Sequence, residues 1–259
     1  MQEIEDYLES RMGTYSFFFE DLRSGYVFGY NENVKMVAAG CMKLPIAIAL
    51  IKEEEEERVS FLDKVRIEKK DKVCGNGIIH EFEDRDYTIF ELLVAMLIQS
   101  DNTAANKIID LIGMGKINET ISILGLENTT LNRKTNDERN KVIEVENITT
   151  ANDLCKIWKI LNDGSYLNKD NSTMLIDILA RQQKKNKLAL YIQDDLKIDI
   201  SSKSGDKNGV ENDTEYIKIT KGEFAFTVMS TGIPNSVYGT ITLAKVGKMM
   251  WDNIMNKWN

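Results

Sequence analysis

The sequence predicts an α+β fold. One antiparallel sheet takes strands from both ends of the chain and is flanked by N- and C-terminal helices, while the middle supplies an all-helical lobe. Three observations carry that expectation. Two β-rich runs, "YSFFFEDL" and "GYVFGYN", stand near the N-terminus. Two more, "EYIKIT" and "EFAFTVMST", stand near the C-terminus. Between them, apolar residues recur at helical spacing rather than in alternation. The expected division is a discontinuous α/β lobe, residues 1–36 and 190–259, around a helical lobe, residues 37–189.

Taken in order, residues 2–11 place Ile4, Tyr7 and Leu8, with Met12, on one side of a helix. Leu22-Arg23-Ser24-Gly25 reads as the turn of a hairpin. "VAAGCMKLPIAIAL", residues 37–50, opens a buried helix near Gly40 that carries one lysine, Lys43, on an otherwise apolar face. Pro45 falls in its first turns, where a missing N–H costs least. The acidic run Glu53–Glu57 reads as its solvated end. Further helices are expected over Ile89–Gln99, after Asp101-Asn102, over Ile117–Leu124 with Gly125 as the stop, over Thr150–Leu161 and over Thr173–Arg181. Lys221-Gly222 joins the two C-terminal strands, and "LAKVGKMMWDNIMNKW" has helical spacing.

Composition narrows the function. At 259 residues, 42% hydrophobic and 29% charged, the chain can bury a sizeable core in one large domain or two joined lobes. Its net charge of −8, with no long Lys/Arg cluster, argues against a nucleic-acid partner. Three widely spaced cysteines, Cys41, Cys74 and Cys155, read as reduced, mostly buried thiols. With His80 as its one histidine, the chain cannot build a multi-histidine zinc site, and no nucleophile motif flanks His80 for a Ser–His–acid triad. His80 is expected at the surface or half-buried. No metal and no cofactor are expected. No apolar run has membrane-spanning length, so no membrane partner is expected. "MQEIEDYLESRM" does not resemble a leader, which implies a cytoplasmic chain as written; a chain already trimmed of an export signal would read the same.

Three short patterns carry chemistry. They are Gly40-Cys41-Met42-Lys43, then Ser100-Asp101-Asn102, then Lys203-Ser204-Gly205. Each alone has a plain reading: a helix lysine reaching for solvent, an N-cap, and an edge-strand lysine before a turn. "NGVEND", residues 208–213, reads as that turn and its loop. The order and separation of the three together favour one site.

In that order the patterns resemble the class A serine β-lactamases and the related penicillin-binding proteins, which use S-x-x-K, S-D-N and K-[ST]-G. "GNGII" at 75–79, "LLVAMLIQSDNTAANKIIDLIG" at 92–113, "NITTANDL" at 147–154 and "KSGDKNGVENDT" at 203–214 extend the resemblance over nearly the whole chain. It implies a β-lactamase/transpeptidase-like fold in which the three patterns converge on one pocket. It implies acyl transfer through a helix-borne serine at position 40, with Lys43 taking the proton. Ser100 would relay a proton to the leaving group and Lys203 would supply positive potential. Asn102 would hold the side-chain amide of a small-molecule substrate, a β-lactam or D-Ala-type peptide. Ser204 would bind its carboxylate, on the same strand as Gly205. The backbone N–H groups of residue 40 and Asp206 would form the oxyanion hole.

The chain departs from the family at several points. Position 40 is glycine, so the nucleophile is missing. Cys41 is two residues from Lys43, about 200° round a helix, and is expected to point into the core. Counting back from Thr149-Thr150, the places of the family's water-activating Glu and its partner Asn fall on Thr135 and Arg139. Glu138, Glu144 and Glu146 are near, but none has Asn at the right distance. The Asp206 carboxylate, if directed at the site, would disfavour anions. Lys218 and Lys221 are positional candidates for the family's carboxylate-binding arginine. The expected function is a β-lactamase-like serine hydrolase, inactive as written because of Gly40. The alternatives are a non-catalytic binding module for peptidoglycan-like small acids, a penicillin-binding-type enzyme that deacylates slowly, and a parent enzyme acting on another amide or ester.

Overall fold

The computed structural model describes residues 1–136, 145–192 and 199–257. In chain order the elements begin with α1 (Gln2–Glu9), β1 (Thr14–Asp21), β2 (Val27–Tyr30), β3 (Met36–Val37) and α2 (Lys43–Glu55). Next come β4 (Lys64–Ile67), β5 (Arg85–Thr88), α3 (Ile89–Ile98), α4 (Asn102–Ile112) and α5 (Met114–Ile123). Then follow β6 (Ile148–Thr149), α6 (Ala151–Asp163) and α7 (Lys169–Ala180). The last are β7 (Asp199–Lys207), β8 (Val210–Ile219), β9 (Gly222–Thr231) and α8 (Ser236–Lys257). Two compact units result: Met1–Cys41, Thr149–Lys159 and Lys184–Asn259 form the first, Met42–Ile148 and Ile160–Gln183 the second. Residues 37–41, 149–159 and 184–189 therefore group with the sheet. Among the described residues no helix is long and apolar enough to cross a membrane.

The first unit is built on a five-stranded sheet of order β2-β1-β9-β8-β7. Every pairing in it is antiparallel, so N- and C-terminal strands share one sheet. Alternation sorts the side chains. Tyr15, Phe17 and Phe19 of β1 and Phe224, Phe226 and Val228 of β9 line one face, where they join Ile4 and Leu8 of α1 and Leu243, Val246, Met250 and Ile254 of α8. Gly247 of α8 lies so close to the Leu188 carbonyl that a Cβ there would collide with it.

The opposite face meets the first turns of α6 through polar contacts. Trp158, fully buried, donates from Nε1 to Thr214 Oγ1 at 2.7 Å and stacks on Tyr216. Thr214 and Thr227 hydroxyls lie 2.6 Å apart, and Cys155 Sγ is 3.2 Å from Thr227 Oγ1. Burial pushes the Cys155 thiol well up, so it behaves as a small core residue. Lys159 pairs with Glu20 at 2.6 Å.

One local expectation is corrected. "NGVEND" is not a loop: Asn208-Gly209 alone makes the turn, with Gly209 at φ +75°, and Val210 begins β8. Val210 to Ile217 are buried without a break. Glu211, Asp213 and Glu215 alternate onto the α8 face, opposite Asp206, Ser204 and Ser202 of β7. Lys187, itself buried, pairs with Glu211 at 2.7 Å. Asp213 accepts from Leu188 N–H at 3.2 Å and is also favoured by the Thr214 backbone N–H, while Glu215 has the Ala189 backbone N–H beside it and no carboxylate oxygen in a well-formed side-chain bond. Burial raises the pKa of both Asp213 and Glu215 above the ordinary carboxylate range, and their mutual proximity adds to the rise at Glu215.

In the second unit α2 is apolar on all sides: Leu44, Ile46, Ala47, Ile48, Ala49, Leu50 and Ile51 are buried. Around it the helix starts are fixed by side chains. Thr88 and Glu91 form a reciprocal capping box on α3, with bonds of 3.1 and 2.7 Å. Asn168 caps α7 by accepting from Asn171 N–H at 2.9 Å. Asn118 of α5 bonds both the N–H and the carbonyl of Leu131, each at 2.9 Å.

Two stability outcomes follow. Gly247→Ala overpacks α8 against Leu188 and lowers stability by about 1–3 kcal/mol, read as a lower urea midpoint. Glu215→Gln and Asp213→Asn act the other way. Because these folded-state pKa values lie above the unfolded ones, the native protein is relieved of the penalty at low pH and incurs it as pH rises above about 4. Each variant is expected to be more stable than the parent at pH 7.5 by roughly 1 kcal/mol or more, and indistinguishable from it near pH 4, in urea titrations at the two pH values.

Candidate active site

The second unit brings together three of the expected residues. Lys43 opens α2 and is 2% exposed. Its Nζ lies 2.5 Å from the Ser100 carbonyl, 3.0 Å from Ser100 Oγ and 2.9 Å from Asn102 Oδ1. An ammonium has three protons, and three oxygens receive them.

The junction of α3 and α4 delivers those oxygens. Ser100 sits between the helices with φ +57°, a conformation that non-glycine residues avoid. Asp101 then caps α4 by accepting from Ala104 N–H at 2.8 Å. Its other oxygen accepts from Ile78 and Ile79 N–H at 2.7 and 2.9 Å, which ties the junction to the segment around "GNGII". Gly77 is required there, since a Cβ would run into Asp101. Asn102 also donates from Nδ2 to the Cys74 carbonyl at 3.3 Å. Ser100-Asp101-Asn102 is thus both an N-cap and an array of acceptors for Lys43.

The segment holding the expected deacylation position is pinned at its ends. Arg133 forms a bidentate pair with Glu146 at 2.9–3.0 Å. Asn147 Oδ1 accepts from the N–H groups of Asn132 and Arg133 at 2.8 and 2.9 Å. The Asn106 side-chain amide holds Thr135, accepting from its N–H at 2.8 Å and donating to its carbonyl at 2.9 Å. Thr135 carries no carboxylate, and Glu146 is engaged with Arg133. Glu138, Arg139 and Glu144 lie outside the described residues.

The first unit gathers the others. β7 is the outermost strand and carries Lys203 to Asp206. Lys203 is fully buried, and its Nζ donates to the Ser204 carbonyl at 2.9 Å. Burial pulls its pKa down to about 8, reinforced by Lys184 and Lys187 and opposed by the Asp213 carboxylate. Cys41 Sγ donates to the Lys203 carbonyl at 3.3 Å, and burial pushes this thiol up to about 12, which removes it as a nucleophile. Gly205 lies directly against the chain at residue 40: a Cβ on it would stand 2.7 Å from Gly40 N and 2.9 Å from the Ala38 carbonyl. Lys207 and Val210 close a two-residue hairpin and are therefore a hydrogen-bonded pair. Alternation leaves Asp206 in a non-hydrogen-bonded pair with Glu211, with its N–H directed to the open edge of β7. The two expected backbone donors thus belong to adjoining stretches of chain. The Asp206 carboxylate is not left bare; it pairs with Lys184 Nζ at 3.1 Å.

Sequence reasoning missed Lys184 and Lys187. Lys187 Nζ bonds the carbonyls of Gly205 and Asn212, both at 3.1 Å, as well as the Glu211 carboxylate. The only signal was the run "KKNK", too short to read as a patch. Lys218 and Lys221 have local partners, Glu223 at 3.0 Å and the Met255 carbonyl at 2.7 Å. His80 is half-buried and meets Glu81 at 3.1 Å. Of the three cysteines Cys41 and Cys155 are buried and Cys74 is exposed. Among the described residues no group of three or more His, Cys, Asp and Glu side chains is placed to hold a metal ion.

Known proteins share this architecture. A β-lactamase structure from Sphaerobacter thermophilus superposes with a TM-score of 0.92, covering 97% of this chain and 96% of that one at 24% identity. PBP-A, solved in a variant form as an acyl-enzyme complex with penicillin G, gives a TM-score of 0.89 over 98% of this chain and 95% of that one, also at 24% identity. These likenesses establish a β-lactamase/transpeptidase-like fold. By sequence, a β-lactamase of Bacillus amyloliquefaciens is 25% identical over 177 residues, 68% of this chain and 56% of that protein. A Citrobacter koseri β-lactamase is 31% identical over 107 residues, 40% of this chain and 36% of that protein. The matched stretches thus span little more than half of the first relative and about a third of the second. A family model described as the β-lactamase enzyme family matches residues 1–254, and the chain belongs to that family.

Proposed function

We propose that the chain is built for serine-type acyl transfer on a small β-lactam or D-Ala-type amide and that, with glycine at position 40, it forms no acyl ester there. The observation that carries this reading is the Lys43 amine, held 3.0 Å from Ser100 Oγ and 2.9 Å from Asn102 Oδ1. A buried lysine beside a hydroxyl is the arrangement of a general base and a proton relay. Lys203 would supply positive potential, Ser204 would bind a carboxylate, and the N–H groups of Gly40 and Asp206 would receive an oxyanion. Thr135 offers no base to activate water, which favours a penicillin-binding-type enzyme with slow deacylation once a serine is present.

Gly40 also supports a second reading, in which the chain binds a peptidoglycan-like small acid without turning it over. The Lys184–Asp206 pair is compatible with that, because it offsets the Asp206 carboxylate next to the oxyanion donors. Gly40→Ser separates the readings. Acyl-transfer machinery gives covalent labelling at residue 40 by a fluorescent penicillin on a denaturing gel, followed by release over minutes or longer. No labelling, with the affinity for penicillin G unchanged, supports the binder. Rapid and complete turnover would contradict the assignment of Thr135.

Binding is also expected to depend on pH. Lys203 is charged below about 8 and neutral above it. Affinity of the Gly40 chain for anionic penicillin G, followed by calorimetry, should fall as pH rises through 8, by roughly tenfold if one charge contact of about 1.4 kcal/mol is lost. Lys203→Met should start from the weaker affinity and show no such fall.

A further inference from the structure

We propose that Ser100 is itself a nucleophile in this chain: Ser100 and Lys43 form a Ser–Lys dyad that accepts the acyl group of a strained amide in place of the missing hydroxyl at position 40. The inference rests on the acyl-transfer reading above and deepens it. Three observations point to it. Ser100 Oγ lies 3.0 Å from Lys43 Nζ, and both residues are buried, so water competes little for either group. Ser100 is held at φ +57° by the Lys43 bond to its carbonyl and by the Asp101 N–H to Ala95 carbonyl bond of 3.1 Å, a strained backbone of the kind kept where a side chain must be aimed. It directly precedes the N-cap of α4, whose dipole favours negative charge. Cys41 is no rival, since burial holds it as a thiol.

The chemistry closes without an added reactant other than water. The same 3.0 Å contact serves in either direction: with Lys43 as a neutral amine, the Ser100 hydroxyl donates to it. Ser100 Oγ bonds to the amide carbonyl carbon while its proton passes to Lys43 Nζ, giving a tetrahedral oxyanion and an ammonium. Collapse breaks the C–N bond, and the ammonium returns that proton to the departing nitrogen. An ester on Ser100 and a neutral Lys43 remain. Water then adds to the ester; cleavage of the C–O bond releases the acid and restores the hydroxyl.

The test uses the chain as it stands, with Gly40, incubated with a fluorescent penicillin at pH 8 for hours. Labelling is read on a denaturing gel and located by peptide mass spectrometry. The expected result is one adduct of the penicillin's mass on Ser100, formed about 10²–10⁴ times more slowly than the adduct of Gly40→Ser. Ser100→Gly is the matched deletion, because glycine adopts the positive φ without strain, and it should abolish the adduct. Lys43→Met should slow labelling by about 10²-fold or more. If the Gly40 chain stays unlabelled while Gly40→Ser is labelled, the dyad is overturned and the acyl-transfer reading stands. If neither is labelled, both fall. An adduct that survives Ser100→Gly overturns the dyad.

Discussion

A lysine amine buried at the first turn of a helix that is apolar on every side is the demand around which the second unit is arranged. An unpaired cation there would cost several kcal/mol. Three oxygens at 2.5, 3.0 and 2.9 Å remove that cost, and two of them belong to one residue. Bringing a carbonyl and a hydroxyl of the same serine to one nitrogen requires the chain to reverse sharply, hence the positive φ at Ser100. The reversal needs a capped helix after it, hence Asp101, whose second oxygen in turn secures residues 78 and 79. The separate oddities of this region — a strained serine, a fully buried aspartate, a glycine at 77 that cannot carry a side chain — are consequences of one buried nitrogen.

The first unit follows the same rule with other residues. Lys187 bonds two carbonyls of neighbouring strands and ion-pairs with Glu211, so it fastens β7 to β8 at the point where Gly205 lies against residue 40. Lys203 feels the Asp213 carboxylate, yet burial outweighs that attraction, and it is the lysine whose proton burial loosens. Two buried lysines a few residues from one another in space thus differ in kind: one is committed to structure, the other keeps a charge that the surroundings can remove.

The architecture was legible because strand and helix periodicities differ and because punctuation was clear: Gly125 ended α5, and Lys221-Gly222 marked the hairpin between β8 and β9. What misled was polarity. Val210-Glu211-Asn212-Asp213 reads as loop because acids rarely lie in a buried strand, yet here strand pairing and Lys187 bury them. Of the site, Lys43, Ser100 and Asn102 were found from sequence and meet in space. Lys184 and Lys187 could not be, since nothing local announces that a short basic run will fold against acids twenty-odd residues downstream. Of the three thiols read as mostly buried, Cys74 is the exposed one, in a segment whose backbone is fastened by Asn102 and Asn136.

The clasp of Arg133 on Glu146, with Asn132 and Asn147 beside it, joins the two ends of the stretch it encloses. A change between positions 134 and 145 therefore leaves the four clasping residues themselves in place. Descendants of such a chain could lengthen that stretch, or move one of its glutamates, Glu138 or Glu144, along it, while the clasp held; hydrolytic competence becomes a matter of drift between two fixed points rather than of remodelling the scaffold.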